Sequence, residues 1–125
     1  MGIYKRISTK SGFDAVITER GFKCAYITHA AAYSFGTVTE MKRHNETEEV
    51  FVLLSGNAVM LTLEDGVFTE TPLAKGEAFV VAKGTYHYLG VTEDASVFVV
   101  ERDDTCKDNT DALALSEPYV LEERI

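Results

Sequence analysis

The chain is built from short apolar runs that alternate with turn sequences, and this pattern limits the folds it can adopt. Runs rich in β-branched and aromatic residues cover 22–28, 49–54, 58–63, 77–82, 85–91 and 96–101. Turn sequences stand between several of them, namely Ser55-Gly56-Asn57, Glu64-Asp65-Gly66, Lys75-Gly76 and Lys83-Gly84. Glycine and asparagine tolerate the positive φ that tight strand connections require. Many short strands joined by frequent turns predict an all-β sandwich or barrel.

A helix is expected at one place only. No segment before residue 110 sustains a period of 3.6 residues, whereas 111–116, ahead of Pro118, is compatible with a short helix. We therefore predict an all-β chain with at most one short C-terminal helix.

Length and composition predict a single domain over residues 1–125. Apolar residues make up 46% of the chain and charged residues 26%, as in ordinary soluble globular proteins. No linker, repeat or low-complexity tract divides the sequence. The first residues lack the apolar stretch of a secretory signal, and no run is long enough to cross a bilayer. We expect a cytoplasmic protein with no membrane partner.

The net charge of -8 argues against nucleic acid as a partner, because an acidic chain repels polyanions and offers no basic stripe for phosphate contacts. Cys24 and Cys106 lie far apart in sequence and in no metal-type pair. Both are expected to be reduced thiols, since a bridge would require the fold to bring their backbones close together.

A spaced pattern of glycine, histidine and glutamate carries the chemistry. From Gly36 the chain reads GTVTEMKRHNETEEVFVLLSG, which resembles the first cupin motif, G-x5-H-x-H-x4-E-x6-G. Its fixed positions are matched by Gly36, His44, Glu49 and Gly56. Lys42 stands where the motif has its first histidine.

A second pattern follows after a gap of 19 residues. From Gly76 the chain reads GEAFVVAKGTYHYLGV, which resembles the second cupin motif, G-x5-P-x-G-x2-H-x3-N. Gly76, Gly84 and His87 match, while Ala82 replaces the proline and Val91 the asparagine. The two patterns occur in the order that cupins require, and together they are more specific than either one alone.

The resemblance implies both a fold and a site. Cupins are double-stranded β-helices, also called jelly-roll barrels, in which the two motifs form neighbouring strand pairs whose inward side chains meet in a cavity. It implies that His44, Glu49 and His87 bind a metal there. Two imidazoles and one carboxylate suit a divalent transition metal such as Fe, Mn, Ni, Zn or Cu, and they leave positions open for water and substrate.

Lys42 is the most consequential departure from the family pattern and the candidate catalytic residue. A protonated ammonium has no lone pair, and at about 4 Å and an effective dielectric near 20 each pair of like charges costs roughly 4 kcal/mol. Three arrangements remain open. Lys42 swings out into solvent, or stays inside with a depressed pKa as a base or substrate anchor, or pairs with Glu49 in place of the metal.

Other polar residues receive simpler interpretations. His29 is expected to be an ordinary polar residue, and Glu46 a solvated loop carboxylate with a lesser chance of serving as an oxygen ligand. The tyrosines Tyr33, Tyr86 and Tyr88 are weak candidates for hydrogen bonds to a ligand. Barrel packing is the expected role of the large apolar side chains Phe51, Leu53, Met60, Phe79, Val81 and Phe98.

Three functions remain open from the sequence. The first is a metal-dependent enzyme acting on a small polar molecule with adjacent oxygens, such as a sugar derivative or a keto or hydroxy acid, because cupins include isomerases, decarboxylases and dioxygenases. The second is a non-catalytic small-molecule-binding or sensing cupin with a degenerate or metal-free site. The third is a structural module. A homodimer is expected in which Ile3-Tyr4 and Tyr119-Val120-Leu121 cover strand edges.

Overall fold

The computed structural model describes residues 2–123, and within them the chain forms ten strands and two single-turn 3-10 helices. The strands are β1 Gly12–Glu19, β2 Phe22–Thr28, β3 Gly36–His44, β4 Glu49–Ser55, β5 Ala58–Glu64, β6 Val67–Pro72, β7 Ala78–Val81, β8 Tyr86–Val91, β9 Ser96–Glu101 and β10 Thr110–Leu121. The 3-10 helices are Ala31–Tyr33 and Lys107–Asn109. The six apolar runs correspond to β2, β4, β5, β7, β8 and β9 to within one residue at each end, while β1, β3, β6 and β10 lie outside those runs.

The strands form two five-stranded antiparallel sheets. One sheet has the order β1-β2-β9-β4-β7, and the other has the order β10-β3-β8-β5-β6. Successive strands of the chain repeatedly change sheet, so that the two sheets face each other as the layers of a jelly roll. This confirms the predicted all-β architecture.

Alternation along the strands places the main core between the sheets. On β9, Val97 and Val99 are fully buried, and on β4, Phe51 and Leu53 are each 2% exposed. Complete burial of a Val, Leu or Phe side chain contributes about 1.5–3 kcal/mol each, so these two central strands supply much of the stability. The same parity places the carboxylates at the ends of these strands on the inward face.

The predicted packing residues are confirmed with one exception. Phe51, Leu53, Met60 and Val81 belong to the main core cluster, and Phe79 packs against it. Phe98 does not, because it alternates with Val97 and Val99 and so lies on the other face of β9. There its ring contacts Tyr26 edge to face, with centroids 5.3 Å apart.

A second apolar cluster covers the opposite face of the β10-β3-β8-β5-β6 sheet. Its buried members are Val38, Met41, Leu61 and Leu121. Leu121 lies against Gly90, where a Cβ atom would come within 2.8 Å of the leucine Cδ2. The C-terminal strand is thus packed onto its own sheet.

The predicted helix at 111–116 is wrong, since these residues lie inside β10. The first half of β10 pairs with β3, from Thr110 opposite His44 to Ala114 opposite Glu40. Exposure alternates with period two from Asp111 to Ser116, as a strand with one covered face requires. Pro118 is tolerated because it falls where the register shifts between Ala114 and Tyr119, so its missing N–H breaks no regular ladder.

Two smaller expectations concern sulfur and membranes. Cys24 is buried and Cys106 exposed, and both are free thiols as expected. Among residues 2–123 no helix is long and apolar enough to span a membrane.

Candidate metal centre

A cavity of about 540 Å³ opens between the two sheets at the end where β3 finishes and β4 begins. Its wall includes His44, Glu49 and His87 together with apolar side chains such as Phe51 and Leu89. The three residues that the motifs singled out therefore share one cavity.

The path of the chain explains why they meet. His44 ends β3 in one sheet and Glu49 begins β4 in the other, so the short connection between them crosses from sheet to sheet. His87 lies on β8, which neighbours β3, with Lys42 as its direct cross-strand partner. A backbone hydrogen bond of 2.7 Å from Gly84 N–H to the His44 carbonyl ties the two motifs together.

Both imidazoles converge on one carboxylate oxygen. His44 Nε2 and His87 Nε2 each lie 3.2 Å from Glu49 Oε1. One ligand atom from each of the three residues lies within 4.8 Å of the others. At metal–ligand bonds of about 2.1 Å, adjacent ligands stand about 3.0 Å apart at 90° and about 3.4 Å apart at the tetrahedral angle. The observed 3.2 Å separations fall inside that interval.

The far nitrogens of the two imidazoles hold the rings in place. His87 Nδ1 lies 3.0 Å from the Thr85 carbonyl oxygen, and His44 Nδ1 lies 2.9 Å from Thr110 Oγ1. A carbonyl only accepts, so His87 Nδ1 carries the proton and, in the neutral ring, Nε2 presents its lone pair to the cavity. This is the arrangement that metal-binding histidines use.

Glu49 Oε1 is the unsatisfied atom of the site. Glu49 is 4% exposed, and in the part of the chain that the structure describes its Oε1 has no hydrogen-bond partner of acceptable geometry. At 3.2 Å from Glu49 Oε1, an imidazole Nε2 either donates a proton to the carboxylate or presents its lone pair to a cation bound between the two atoms. The donor set therefore fits a divalent transition metal.

The same geometry controls the charges of the site. Burial alone would raise the pKa of Glu49, but the imidazoles of His44 and His87 outweigh it and lower this pKa to about 2. The Glu49 carboxylate in turn raises the pKa of His44, and burial opposes this shift only in part. Glu49 is thus an anion at any physiological pH, as a metal ligand must be.

Lys42, the candidate catalytic residue, lines the cavity with its side chain exposed. Within residues 2–123 it makes no salt bridge, so the arrangement in which Lys42 pairs with Glu49 is not the one adopted. Lys42 is exposed and also borders the cavity, so the outward arrangement and the arrangement as a base or substrate anchor both stay predictions.

The remaining candidate residues differ in where they lie and in what they contact. Glu46 is paired with Arg102 at 3.1 Å on the surface, and His29 lines a different, open groove. Of the three tyrosines, Tyr88 donates a 2.6 Å hydrogen bond to the Ser34 carbonyl, and Tyr86 lies under the Arg43 guanidinium. Tyr33 lines the cavity, and burial together with the charges of Glu49 and Glu101 raises its pKa to about 12.

Two ionisable residues beside the centre, Glu101 and Lys23, belong to neither motif and were not predicted from the sequence. Register places Glu101 of β9 next to Glu49 of β4, and Lys23 of β2 directly opposite Glu101. Burial and the charge of Glu49 raise the pKa of Glu101 to about 7. The signal was strand parity, since Glu101 shares the inward face of Val97 and Val99, and Lys23 that of Ala25 and Ile27.

Solved structures with the same fold are similar over most of this chain. A cupin-2 domain protein from Shewanella frigidimarina matches with a TM-score of 0.55 and 18% identity, over 80% of this chain and 84% of that one. Oxalate decarboxylase from Bacillus subtilis, a protein with Mn(II) centres, matches with a TM-score of 0.57 and 20% identity, over 90% of this chain but 30% of that one. A TDP-quinovose 3,4-ketoisomerase from Campylobacter jejuni gives 0.57 and 13%, over 70% and 66%.

Sequence comparison identifies the family. No curated protein matches the sequence. The family model described as the cupin domain matches residues 32–101, which is more than half of the chain and contains both motifs. The chain therefore belongs to the cupin family.

Proposed function

We propose that this cupin binds a divalent transition metal through His44, Glu49 and His87 and uses it to act on a small polar metabolite with adjacent oxygens. The observation that carries the proposal is the buried Glu49 Oε1, which lies 3.2 Å from an imidazole nitrogen of each histidine and has no hydrogen bond of acceptable geometry within residues 2–123. A cation bound between the three ligand atoms would give each of them a partner and would account for their convergence.

The protein's own residues would have defined tasks in this function. Thr85 and Thr110 orient the two imidazoles, and the apolar wall formed by Phe51 and Leu89 limits the access of water. A bound metal supplies Lewis-acid polarisation of substrate oxygens. Tyr33 remains a protonated phenol that can donate a hydrogen bond to a ligand in the cavity.

The structural neighbours support a reaction of this class without choosing one. They include an oxalate decarboxylase and a 3,4-ketoisomerase, which act on an acid and on a sugar nucleotide respectively. At 20% and 13% identity these matches show a shared fold, so substrate and reaction come to this chain only as a proposal.

Elemental analysis of protein purified without chelator tests the metal. We expect about one transition-metal ion per chain, an anomalous scattering peak between the three ligand atoms in a crystal, and near-complete loss of metal in His87→Ala. His29→Ala serves as the matched control, because His29 lies in another groove. Protein that holds no metal, and acquires none when metal is added, would contradict the proposal.

A non-catalytic sensing role is the second candidate. It is favoured by the position that corresponds to the motif asparagine, where Val91 is 1% exposed in the core and offers no polar group. A screen of small sugars and keto acids separates the two functions, since turnover that disappears in His87→Ala supports the enzyme.

A further inference from the structure

The cavity contains a second polar group beside the proposed metal centre. Lys23 is almost buried, with 15% of its side chain exposed, and its Nζ lies 3.4 Å from Glu101 Oε1. It also donates a 3.1 Å hydrogen bond to the carbonyl oxygen of Thr105. Lys23, Glu101 and Thr105 all line the same cavity as the metal ligands.

Lys23 is held in place but not saturated. A lysine ammonium has three N–H donors, and the two contacts to Glu101 and Thr105 account for two of them. The side chain comes from β2 on the inward face, directly opposite Glu101 of β9. The ammonium is thus fixed by Glu101 and Thr105 and lies 6.0 Å from the centroid of the Phe13 ring, and among residues 2–123 no hydrogen bond engages its third N–H.

Thr105 offers the other free hydrogen-bonding group. The residue is 9% exposed, and its buried Oγ1 has no hydrogen-bond partner among the described residues 2–123. A buried hydroxyl with no partner carries an uncompensated desolvation penalty. Proteins leave such a group unpaired where a ligand or water completes its bonding. The remaining Lys23 donor and this hydroxyl are two donors on the wall of one cavity, one for each oxygen of a carboxylate.

A metal ion would add positive charge close to this part of the cavity. Glu49 and Glu101 are 4% and 6% exposed and lie at neighbouring positions of β4 and β9, with Lys23 opposite Glu101. A dication held by Glu49 in this largely buried site favours an anionic ligand over a neutral one.

We propose that Lys23 and Thr105, with Lys23 held by Glu101, form a carboxylate-binding subsite that makes the substrate of this cupin a small acid rather than a neutral sugar. This rests on the proposed function, in which the other oxygens of the same molecule reach the metal. The role of Lys23 and Thr105 is to bind and position, and Glu101 acts through Lys23.

Calorimetry with matched acids and neutral analogues tests the subsite. The probes are D-gluconate against D-glucitol and lactate against lactamide, titrated into protein as purified. The wild type should bind at least one acid about tenfold or more tightly than its neutral partner. Thr105→Val should reduce this preference by roughly threefold to tenfold, since it removes one hydrogen bond and keeps the side-chain shape.

A charge-balanced variant gives the larger effect. Lys23→Met combined with Glu101→Gln leaves no unpaired buried charge and should abolish the preference for acids. Lys75→Met, an exposed lysine in a turn on another part of the surface, should leave it unchanged. Metal content and melting temperature are measured on every variant, and if the double variant does not fold, Thr105→Val decides.

The outcomes separate the two proposals. A wild type that prefers no acid over its neutral partner, or a preference that survives both Thr105→Val and the double variant, overturns the subsite even when the metal is present. A preference that depends on Lys23 in protein that holds no metal supports the subsite while the proposed metal function fails.

Discussion

At the scale of single residues, the hydrogen bonds behind the imidazoles determine how well the centre can hold a metal. His44 Nδ1 is 2.9 Å from Thr110 Oγ1, and this contact sets the direction of the His44 ring. Partners of this kind typically contribute ten- to a hundredfold to metal affinity.

Thr110→Val should therefore weaken metal binding by roughly ten- to a hundredfold while the fold is kept. The change removes the hydroxyl partner and preserves the branched shape of the side chain. Metal affinity is measured by competition with a chelator of known affinity. Thr69→Val, an exposed threonine of β6, is the matched control, and equal affinities for the two variants would show that Thr110 does not orient His44.

Glu101 makes a specific prediction about pH. Its pKa rises from an ordinary 4.5 to about 7 on folding, so between these values the folded state binds more protons than the unfolded one. The contribution of Glu101 to the free energy of unfolding is therefore highest below pH 4.5 and falls as the pH rises to 7, by roughly 3 kcal/mol at most.

Glu101→Gln should remove this part of the pH dependence. Urea unfolding of chelator-treated protein at pH 5, 6, 7 and 8 should show a smaller loss of stability in the variant than in the wild type. The comparison isolates Glu101, because the raised pKa of His44 lowers the free energy of unfolding with rising pH in both proteins. Parallel curves for the two proteins would contradict the assigned shift.

At the scale of elements, the turn between β4 and β5 is the most tightly constrained connection. Gly56 has φ of 70°, and a Cβ atom there would lie 2.5 Å from Ala95 Cα and 2.7 Å from Ala95 N. Both contacts are to backbone, which cannot move aside as a flexible side chain can. The motif glycine is therefore required for packing as well as for its backbone angle.

Gly56→Ala should destabilise the protein by about 3 kcal/mol or more, because the strain of positive φ, about 1–2 kcal/mol, adds to the clash. Gly66→Ala is the matched control, with φ of 76° and nothing within 4 Å of the added Cβ. Gly66→Ala should lower the free energy of unfolding only by the strain of the positive φ. Chemical denaturation measures both variants, and equal losses would show that the contact with Ala95 is unimportant.

The strands themselves differ in how much of them the sequence could predict. Apolar runs such as β2 and β9 carry their own signal and were located to the residue. The helix prediction for 111–116 in β10 is wrong because Leu113 and Leu115 alternate with Ala112 and Ala114. This is a period-two pattern, but its residue types also favour helix. Pairing with β3, which is distant in sequence, decided the outcome.

At the scale of the whole molecule, the N-terminal segment is the part least covered by the rest. Ile3, Tyr4 and Ile7 are 94%, 62% and 69% exposed. Exposed apolar side chains of this kind are typical of surfaces that bind another molecule, so we expect this segment to take part in association. By contrast, Leu121, which the sequence also suggested as an edge cover, is fully buried in its own chain.

The expected homodimer should therefore depend on the N-terminal segment. Light scattering at micromolar concentration should give twice the mass of the chain. Replacement of Ile3, Tyr4 and Ile7 by serine should weaken association at least tenfold without lowering metal content. Val67→Ser, which changes a residue 62% exposed at the start of β6, is the control. A wild type that is monomeric would reject the dimer and leave the barrel untouched.

Local sequence is sufficient to predict the all-β character of the chain, the positions of most central strands, and His44, Glu49 and His87 as candidate metal ligands. These are local properties, because strand periodicity, turn glycines and motif spacing are written in consecutive residues. Only the folded structure shows that the two imidazoles converge on Glu49 Oε1 and that Thr110 orients His44. It also shows that Lys23 and Thr105 border the same cavity. Those relations arise from pairing between strands distant in sequence, and long-range register depends on how the whole core packs.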